Sequence, residues 1–164
     1  MERLYAPWRM AYIDQPGKDT AAHGSGCIFC DKAGETDDDR NLIVHRGAHA
    51  FVLLNLFPYN NGHLMVAPYQ HTARLDDLDD AATLEIMTLA RRAQAALARA
   101  FHPHGYNLGM NLGTVAGAGI ADHLHLHIVP RWDGDTNFMP VLADVKILPD
   151  SLENSARKLR EAWG

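Results

Sequence analysis

The stretch Asp122-His123-Leu124-His125-Leu126-His127-Ile128-Val129-Pro130 alternates histidine with aliphatic residues. Successive side chains of a β-strand point to opposite faces of the sheet. The alternation therefore predicts a strand over residues 123–129, with three histidines on one face and three aliphatic side chains packed into the core. Because a solvated strand face rarely carries histidine at every second position, the histidine face is a candidate functional surface.

Two kinds of chemistry use histidines arranged in this way. Three imidazoles can hold a catalytic zinc ion. Alternatively, one imidazole attacks the substrate while its neighbours orient it and stabilise negative charge. A glycine-rich segment, residues 113–119, closely precedes the strand, and glycines let backbone N–H groups approach a phosphate. The combination favours nucleophilic attack on phosphorus, although a flexible turn has the same composition.

The segments on either side of the histidine strand predict an α+β fold. Further strands are expected at residues 50–54, 63–67 and 106–112, and Asn60-Asn61-Gly62 is a turn signal between the first two. Helical spacing of apolar residues predicts a long helix over residues 76–101 and a short C-terminal helix over residues 149–163. The short connections indicate one domain, residues 1–164, with an antiparallel sheet of about five strands and the long helix on one face.

The composition is typical of a globular protein. The 15 Lys and Arg against 20 Asp and Glu give a formal net charge of −5, so a nucleic-acid polymer is not an expected partner. No apolar run is long enough to cross a membrane. The N-terminus lacks the apolar core of a signal peptide, and we therefore expect a cytoplasmic protein.

The two cysteines, Cys27 and Cys30, form a Cys-x-x-Cys pair. Such a pair supplies half of a tetrahedral zinc site, and two further ligands are then needed. The alternative is a pair of buried cysteines that pack as small apolar residues.

Several motifs together resemble the histidine triad (HIT) family of nucleotide hydrolases and transferases. The histidine strand looks like the signature of that family, and residues 54–68 resemble its asparagine and Gly-His strand pair. Asn111-Leu112-Gly113 and residues 4–10, LYAPWRM, also fit. The long helix and Pro130-Arg131-Trp132 look most like the branch that cleaves dinucleoside polyphosphates, which includes diadenosine tetraphosphate phosphorylases and hydrolases and the fragile histidine triad-like proteins.

The resemblance implies a role for each matching residue. His125 would attack the α-phosphorus of a purine nucleotide, His127 would contact phosphate, and His123 and His63 would support them. Asn55 would bind the ribose hydroxyls. The phosphates would face Asn111 and the backbone of four loop residues: Gly117, Ala118, Gly119 and Ile120. Family members are commonly twofold homodimers with a shared sheet, so a homodimer is expected.

The same resemblance implies a metal site and no organic cofactor. Some relatives hold a structural zinc ion at positions that match Cys27, Cys30, His71 and His123 in this chain. His45 or His49 are alternatives to His71. Four protein ligands make a closed, structural site rather than a catalytic one.

The expected reaction has two steps and a covalent adenylyl-histidine intermediate. Neutral His125 needs a hydrogen on one ring nitrogen and a lone pair on the other, and a hydrogen bond to a backbone carbonyl would fix that tautomer. Water or inorganic phosphate would then release the nucleotide. Many relatives carry Gln, Ser or Thr shortly before the first histidine, whereas this chain has Ala118, Gly119 and Ile120, so the acceptor stays open.

Three other functions remain open at this point. A nucleoside phosphoramidate hydrolase would use the same histidines on a different ester of AMP. A metal-dependent hydrolase would place zinc on the three histidines, and chelation would then abolish the chemistry. A nucleotide-binding sensor would bind AMP with little turnover.

Overall fold

The computed structural model of the chain describes residues 26–136 and 148–164. The motif at residues 4–10 lies outside the described residues. Within them, the chain forms four α-helices and five β-strands, in the following order: α1 Ile28–Gly34, α2 Asp38–Asn41, β1 Ile43–Arg46, β2 Ala50–Leu54, β3 Leu64–Pro68, α3 Asp80–Phe101, β4 Gly105–Met110, β5 Leu126–Arg131 and α4 Leu152–Glu161. This α+β arrangement confirms the predicted fold class.

The five strands form one antiparallel sheet with the order β1-β2-β3-β5-β4. The first three strands are neighbours along the chain, but β5 lies between β3 and β4. Met65 of β3 pairs with His127 of β5, and Gly109 of β4 pairs with the same histidine from the other side. The histidine strand β5 is therefore an interior strand, next to the edge strand β4, and its even-numbered side chains lie in the core.

The long helix α3 covers one face of the sheet. Its buried residues recur on one face at helical spacing, with two adjacent pairs among them: Ala82, Ile86, Leu89, Ala90, Ala93, Ala96 and Leu97. They pack against a mainly aliphatic set that includes Val52, Leu64 and Ile128 from the sheet. This burial of one apolar helix face against a sheet stabilises the layer.

Two predicted helix boundaries shift in the structure. The side chain of Asp79 accepts a hydrogen bond from the Ala82 amide at 2.7 Å, so this N-cap starts α3 at Asp80. Residues before it form a separate 3₁₀ turn, Leu75–Asp77. At the other end of the chain, Ser151 caps α4 by accepting from the Asn154 amide, which places the start of that helix at Leu152.

The prediction of a strand over residues 123–129 was wrong at its start. β5 begins at Leu126, where pairing with Val66 and with Met110 begins. Upstream, the Leu124 amide donates to the carbonyl of Thr72 at 2.7 Å. His123 and His125 thus precede the paired residues: pairing with β4 ends at Met110, and pairing with β3 ends at Val66, although β3 itself continues to Pro68.

The described residues contain no helix that is both long and apolar enough to span a membrane.

Candidate active site and metal centre

The three alternating histidines occupy different surroundings. His123 is fully buried and His125 is 5% exposed, whereas His127 is only partly buried. The rings of His125 and His127 meet edge to face, with centroids 4.7 Å apart. The three side chains do not converge on one point, because His123 turns toward the two cysteines and His127 toward His63. This geometry does not fit the three-histidine zinc site considered above.

A single hydrogen bond sets the tautomer of His125. Its Nδ1 lies 2.9 Å from the backbone carbonyl oxygen of His123. A carbonyl oxygen can only accept, so Nδ1 carries the hydrogen and Nε2 presents its lone pair. Burial lowers the pKa of His125, and the carbonyl acceptor raises it by less, so the environment favours the neutral ring. This is the nucleophilic form that the sequence predicts.

A second chain of hydrogen bonds sets the tautomer of His127. The Tyr59 amide donates to Nδ1 of His63 at 3.0 Å, so His63 carries its hydrogen on Nε2. That nitrogen lies 3.0 Å from Nδ1 of His127, which accepts and therefore leaves the hydrogen of His127 on Nε2. The Tyr59 ring packs on both histidines, with centroid distances of 4.6 Å to His63 and 5.7 Å to His127. Nε2 of His127 thus carries a hydrogen and can donate it, whereas Nε2 of His125 carries a lone pair.

Asn55 follows β2 and lies beside this pair. Its Oδ1 accepts from the Phe57 amide at 3.0 Å, and its Nδ2 is 3.4 Å from Nδ1 of His63. The side chain therefore organises the loop that carries Tyr59, in addition to the ribose contact that the resemblance implies.

The glycine-rich loop is a tight turn after β4. Gly113 and Gly117 have φ of 83° and 86°, a region that residues with a Cβ rarely adopt. Asn111 donates from Nδ2 to the Gly117 carbonyl at 3.3 Å. The amides of Gly117 and Ala118 donate to Thr114 and Gly113 within the loop.

The loop geometry reduces the number of backbone amides that are candidates for binding phosphate. Because the first two amides are used inside the loop, the amides of Gly119 and Ile120 are the better candidates for an anion. Ile120 packs against the cluster of buried residues that contains Phe29, which brings the end of the loop to the side of the sheet where His125 lies. The Asn111 side chain holds the loop through its hydrogen bond to the Gly117 carbonyl.

The metal-ligand candidates come together in space. One ligand atom from each of Cys27, Cys30, His71 and His123 lies within 4.8 Å of the other three. Nδ1 of His123 is 3.3 Å from Cys27 Sγ, 3.6 Å from Cys30 Sγ and 3.3 Å from Nδ1 of His71. Tetrahedral zinc with bonds of about 2.0–2.3 Å has ligand-to-ligand edges of about 3.3–3.8 Å. The separations from His123 therefore fit zinc, and two thiols with two imidazoles are a donor set that zinc binds.

The tautomer of His123 also suits a metal. Its Nε2 lies 2.9 Å from the Pro68 carbonyl oxygen, so Nε2 carries the hydrogen and the lone pair of Nδ1 faces the cysteines. An outer hydrogen bond of this kind is typical of metal-bound histidine. Neither alternative ligand reaches this group: the His45 ring stacks on Trp163 at 4.9 Å, and His49 lies exposed between β1 and β2.

Three contributors to the site were not identified from the sequence. Phe29 contacts both His123 and His125, the Tyr59 amide fixes His63, and Pro68 accepts from His123. For Phe29 the available signal was its place between the two cysteines. The Tyr59 amide and the Pro68 carbonyl are backbone groups, whose role the residue type does not reveal.

The fold and the site together define a class: an α+β protein in which a buried, neutral imidazole lies just before an interior strand, next to a histidine donor and a Cys₂His₂ group. The HIT domain family model matches residues 36–134. The chain belongs to the HIT family. It is 39% identical over 165 aligned positions to an AP-4-A phosphorylase of Mycobacterium tuberculosis, covering 99% of this chain and 85% of the relative.

Two further comparisons agree with this assignment. An adenosine 5'-monophosphoramidase of Saccharomyces cerevisiae is 32% identical over 109 residues, which are 66% of this chain and 65% of that protein. A zinc-bound histidine triad family protein from Mycobacterium smegmatis superposes with a TM-score of 0.67 at 29% identity, covering 84% of this chain and 92% of that one. The predicted family and the predicted enzyme class, a nucleotide hydrolase or phosphorylase, are confirmed.

Proposed function

We propose that this enzyme cleaves dinucleoside polyphosphates of the diadenosine tetraphosphate type at the α-phosphate, through a covalent adenylyl-His125 intermediate. One observation carries the proposal: His125 donates from Nδ1 to the His123 carbonyl, which leaves the Nε2 lone pair available for attack. The 39% identity to an AP-4-A phosphorylase along nearly the whole chain supports the substrate class.

In the first step, Nε2 of His125 forms a bond to the α-phosphorus, and the bond from that phosphorus to the bridging oxygen breaks. The leaving group is a nucleoside polyphosphate. His127, with its hydrogen on Nε2, donates to the phosphate oxygens on which charge develops, together with the amides of Gly119 and Ile120. Asn55 holds the ribose of the bound nucleotide.

In the second step, an acceptor oxygen attacks the α-phosphorus and breaks the bond to Nε2 of His125. The lone pair returns to the ring, and the nucleotide leaves as AMP if water is the acceptor or as ADP if phosphate is. Division of one displacement into two steps is the usual gain of nucleophilic catalysis.

Zinc is proposed as the occupant of the group formed by Cys27, Cys30, His71 and His123. Two thiolates and two neutral imidazoles complete its coordination sphere, so the ion would supply rigidity and leave no position for substrate. It takes part in neither chemical step.

The test of the proposed function is product analysis after incubation with diadenosine tetraphosphate, with and without inorganic phosphate. Because the relative is a phosphorylase, we expect ADP and ATP, with little turnover when phosphate is omitted. AMP and ATP without phosphate would identify a hydrolase and overturn the phosphorolytic step. If only adenosine 5'-monophosphoramidate is turned over, the substrate class proposed here is wrong, and the activity named for the yeast relative applies instead.

The outer edge of β4 is the proposed homodimer interface. β4 pairs with β5 on one side and ends the sheet on the other among the described strands. Asn107, Leu108 and Gly109 on this edge are exposed, and Leu108 keeps 41% of its accessible surface. An unpaired edge with an exposed leucine favours strand addition by a second copy. We expect light scattering to give twice the 18.2 kDa of one chain; a mass of one chain at micromolar concentration would contradict this interface.

A further inference from the structure

The proposed nucleophile, His125, lies just before the first paired residue of β5. β5 starts at Leu126, so residues 123–125 precede the paired residues of the sheet, and the Leu124 amide donates to the carbonyl of Thr72 in the loop after β3. The position of the His125 ring therefore depends on its bond to the His123 carbonyl and on the side chains packed around it.

Phe29 is the side chain that contacts both histidines of this segment. Its ring centroid lies 5.1 Å from that of His123 and 4.9 Å from that of His125. The two interplanar angles are 49° and 40°, so the phenyl ring is wedged against both imidazoles at a tilt. Phe29 has no exposed surface, which means that it cannot move without displacing its neighbours.

The helix that carries Phe29 is fixed at both ends. Cys27 and Cys30 enclose Phe29 in the sequence and lie in the Cys₂His₂ group at the start of α1. At the other end, the Arg46 guanidinium donates to the carbonyls of Lys32, Ala33 and Glu35 at 2.7–3.2 Å. Carbonyls at a helix C-terminus lack partners within the helix, so this arginine satisfies them. The metal group and Arg46 together set where the Phe29 ring lies.

We propose that Phe29 is a positioning residue: it transmits the position of the anchored helix α1 to the His125 ring and holds that ring in its nucleophilic orientation. This inference rests on the proposed nucleophilic role of His125. The His125–His123 hydrogen bond selects which nitrogen is the nucleophile, and the Phe29 ring determines the direction in which that nitrogen points. A smaller side chain at position 29 leaves space into which the imidazole can rotate.

The test compares two substitutions that remove the same volume from the same cluster. Phe29→Leu removes the contact to the histidines. Phe51→Leu is the matched control, because Phe51 is also fully buried in this cluster but stacks on Tyr69, at 5.3 Å. Both variants are assayed for zinc content, thermal midpoint, KM and kcat with diadenosine tetraphosphate. Long-range ¹H–¹⁵N spectra of the zinc-loaded protein report the tautomer and exchange broadening of His125.

The two variants should lose similar stability and keep their zinc. Only Phe29→Leu should lower kcat, by about 10²-fold with little change in KM, since a misplacement of about 1 Å costs that much in rate. Only Phe29→Leu should broaden or split the His125 ring nitrogens. Equal kcat values for the two leucine variants, with sharp and unchanged His125 signals, would overturn the positioning role.

The spectroscopic measurement separates this inference from the proposed function. If the wild-type protein does not cleave the dinucleotide but the His125 signals change only in Phe29→Leu, the substrate assignment fails and the positioning role survives. Phe29→Tyr, which keeps the ring, should retain the wild-type His125 spectrum; a spectrum like that of Phe29→Leu would contradict the proposal.

Discussion

His125→Ala should lower kcat for diadenosine tetraphosphate by about 10⁴- to 10⁶-fold, the range found when a covalent nucleophile is removed from an enzyme. Without the imidazole there is no adenylyl-enzyme, and the remaining amides and His127 stabilise charge in a reaction that has lost its attacking group. Nucleotide binding should change little, because the predicted ribose and phosphate contacts come from Asn55 and the glycine-rich loop.

The measurements are steady-state kinetics, AMP binding by calorimetry, and mass spectrometry of enzyme quenched in base, where a phosphorus–nitrogen bond survives. Wild-type enzyme should show an adenylyl adduct on the peptide that contains His125, and the variant should show none. The control is His104→Ala, since His104 is exposed and its ring contacts Asp133 beyond the C-terminal end of β5, the end opposite to His125. Activity in His125→Ala close to that of the control would eliminate the covalent route.

Cys27→Ser should release the metal and destabilise the fold before it affects the chemistry. An ion that binds only the folded state adds about 4 kcal/mol when its free concentration is a thousand times its Kd. For a chain of this size, that corresponds to a decrease in Tm of about 8–16 °C. Cys27 is 7% exposed, so the hydroxyl of the serine also lies in a largely apolar setting, which adds to the loss.

The checks are metal content by mass spectrometry and thermal denaturation with and without a chelator. Chelator should lower the Tm of the wild type to near that of Cys27→Ser and leave the variant unchanged. His49→Ala, which removes an alternative ligand candidate, should retain one zinc per chain. A wild-type protein that contains no zinc after expression with zinc, or a chelator effect on kcat with no effect on Tm, would contradict a structural metal.

The alternation of His123, His125 and His127 was sufficient to predict a functional histidine face. The choice of His125 as nucleophile came from the resemblance to the HIT family, and the expected hydrogen bond to a backbone carbonyl is present. Residue spacing in a strand is a local property, and the carbonyl two residues back is always nearby. The first residue of β5 was not predictable from this local spacing. Whether His123 belongs to a strand depends on where β3 and β4 stop pairing with β5, and both strands lie more than ten residues away in sequence.

The four candidate metal ligands were also only partly predictable from the sequence. The Cys-x-x-Cys pair was visible in the sequence. The choice of third ligand among His45, His49 and His71 depends on which histidine lies near the cysteines in the folded chain. β1, Ile43–Arg46, was also not located, since two of its four residues are polar and its apolar run is short. His45 on this strand faces Trp163 on the helix side of the sheet, away from the cysteines.

The insertion of β5 between β3 and β4 has a consequence for how the enzyme matures. A nascent chain that ends at Met110 already holds His63, both cysteines and His71, and it can form the β1-β2-β3 meander from contacts between near neighbours in sequence. Pairing of Leu64 with Ile128 closes a much longer loop, and such non-local steps form late and slowly. The proposed nucleophile and the fourth candidate metal ligand, two residues apart, therefore reach their positions in the same late step. Before β5 pairs, neither histidine is in place. Activity and the full set of metal ligands should therefore appear together during biosynthesis.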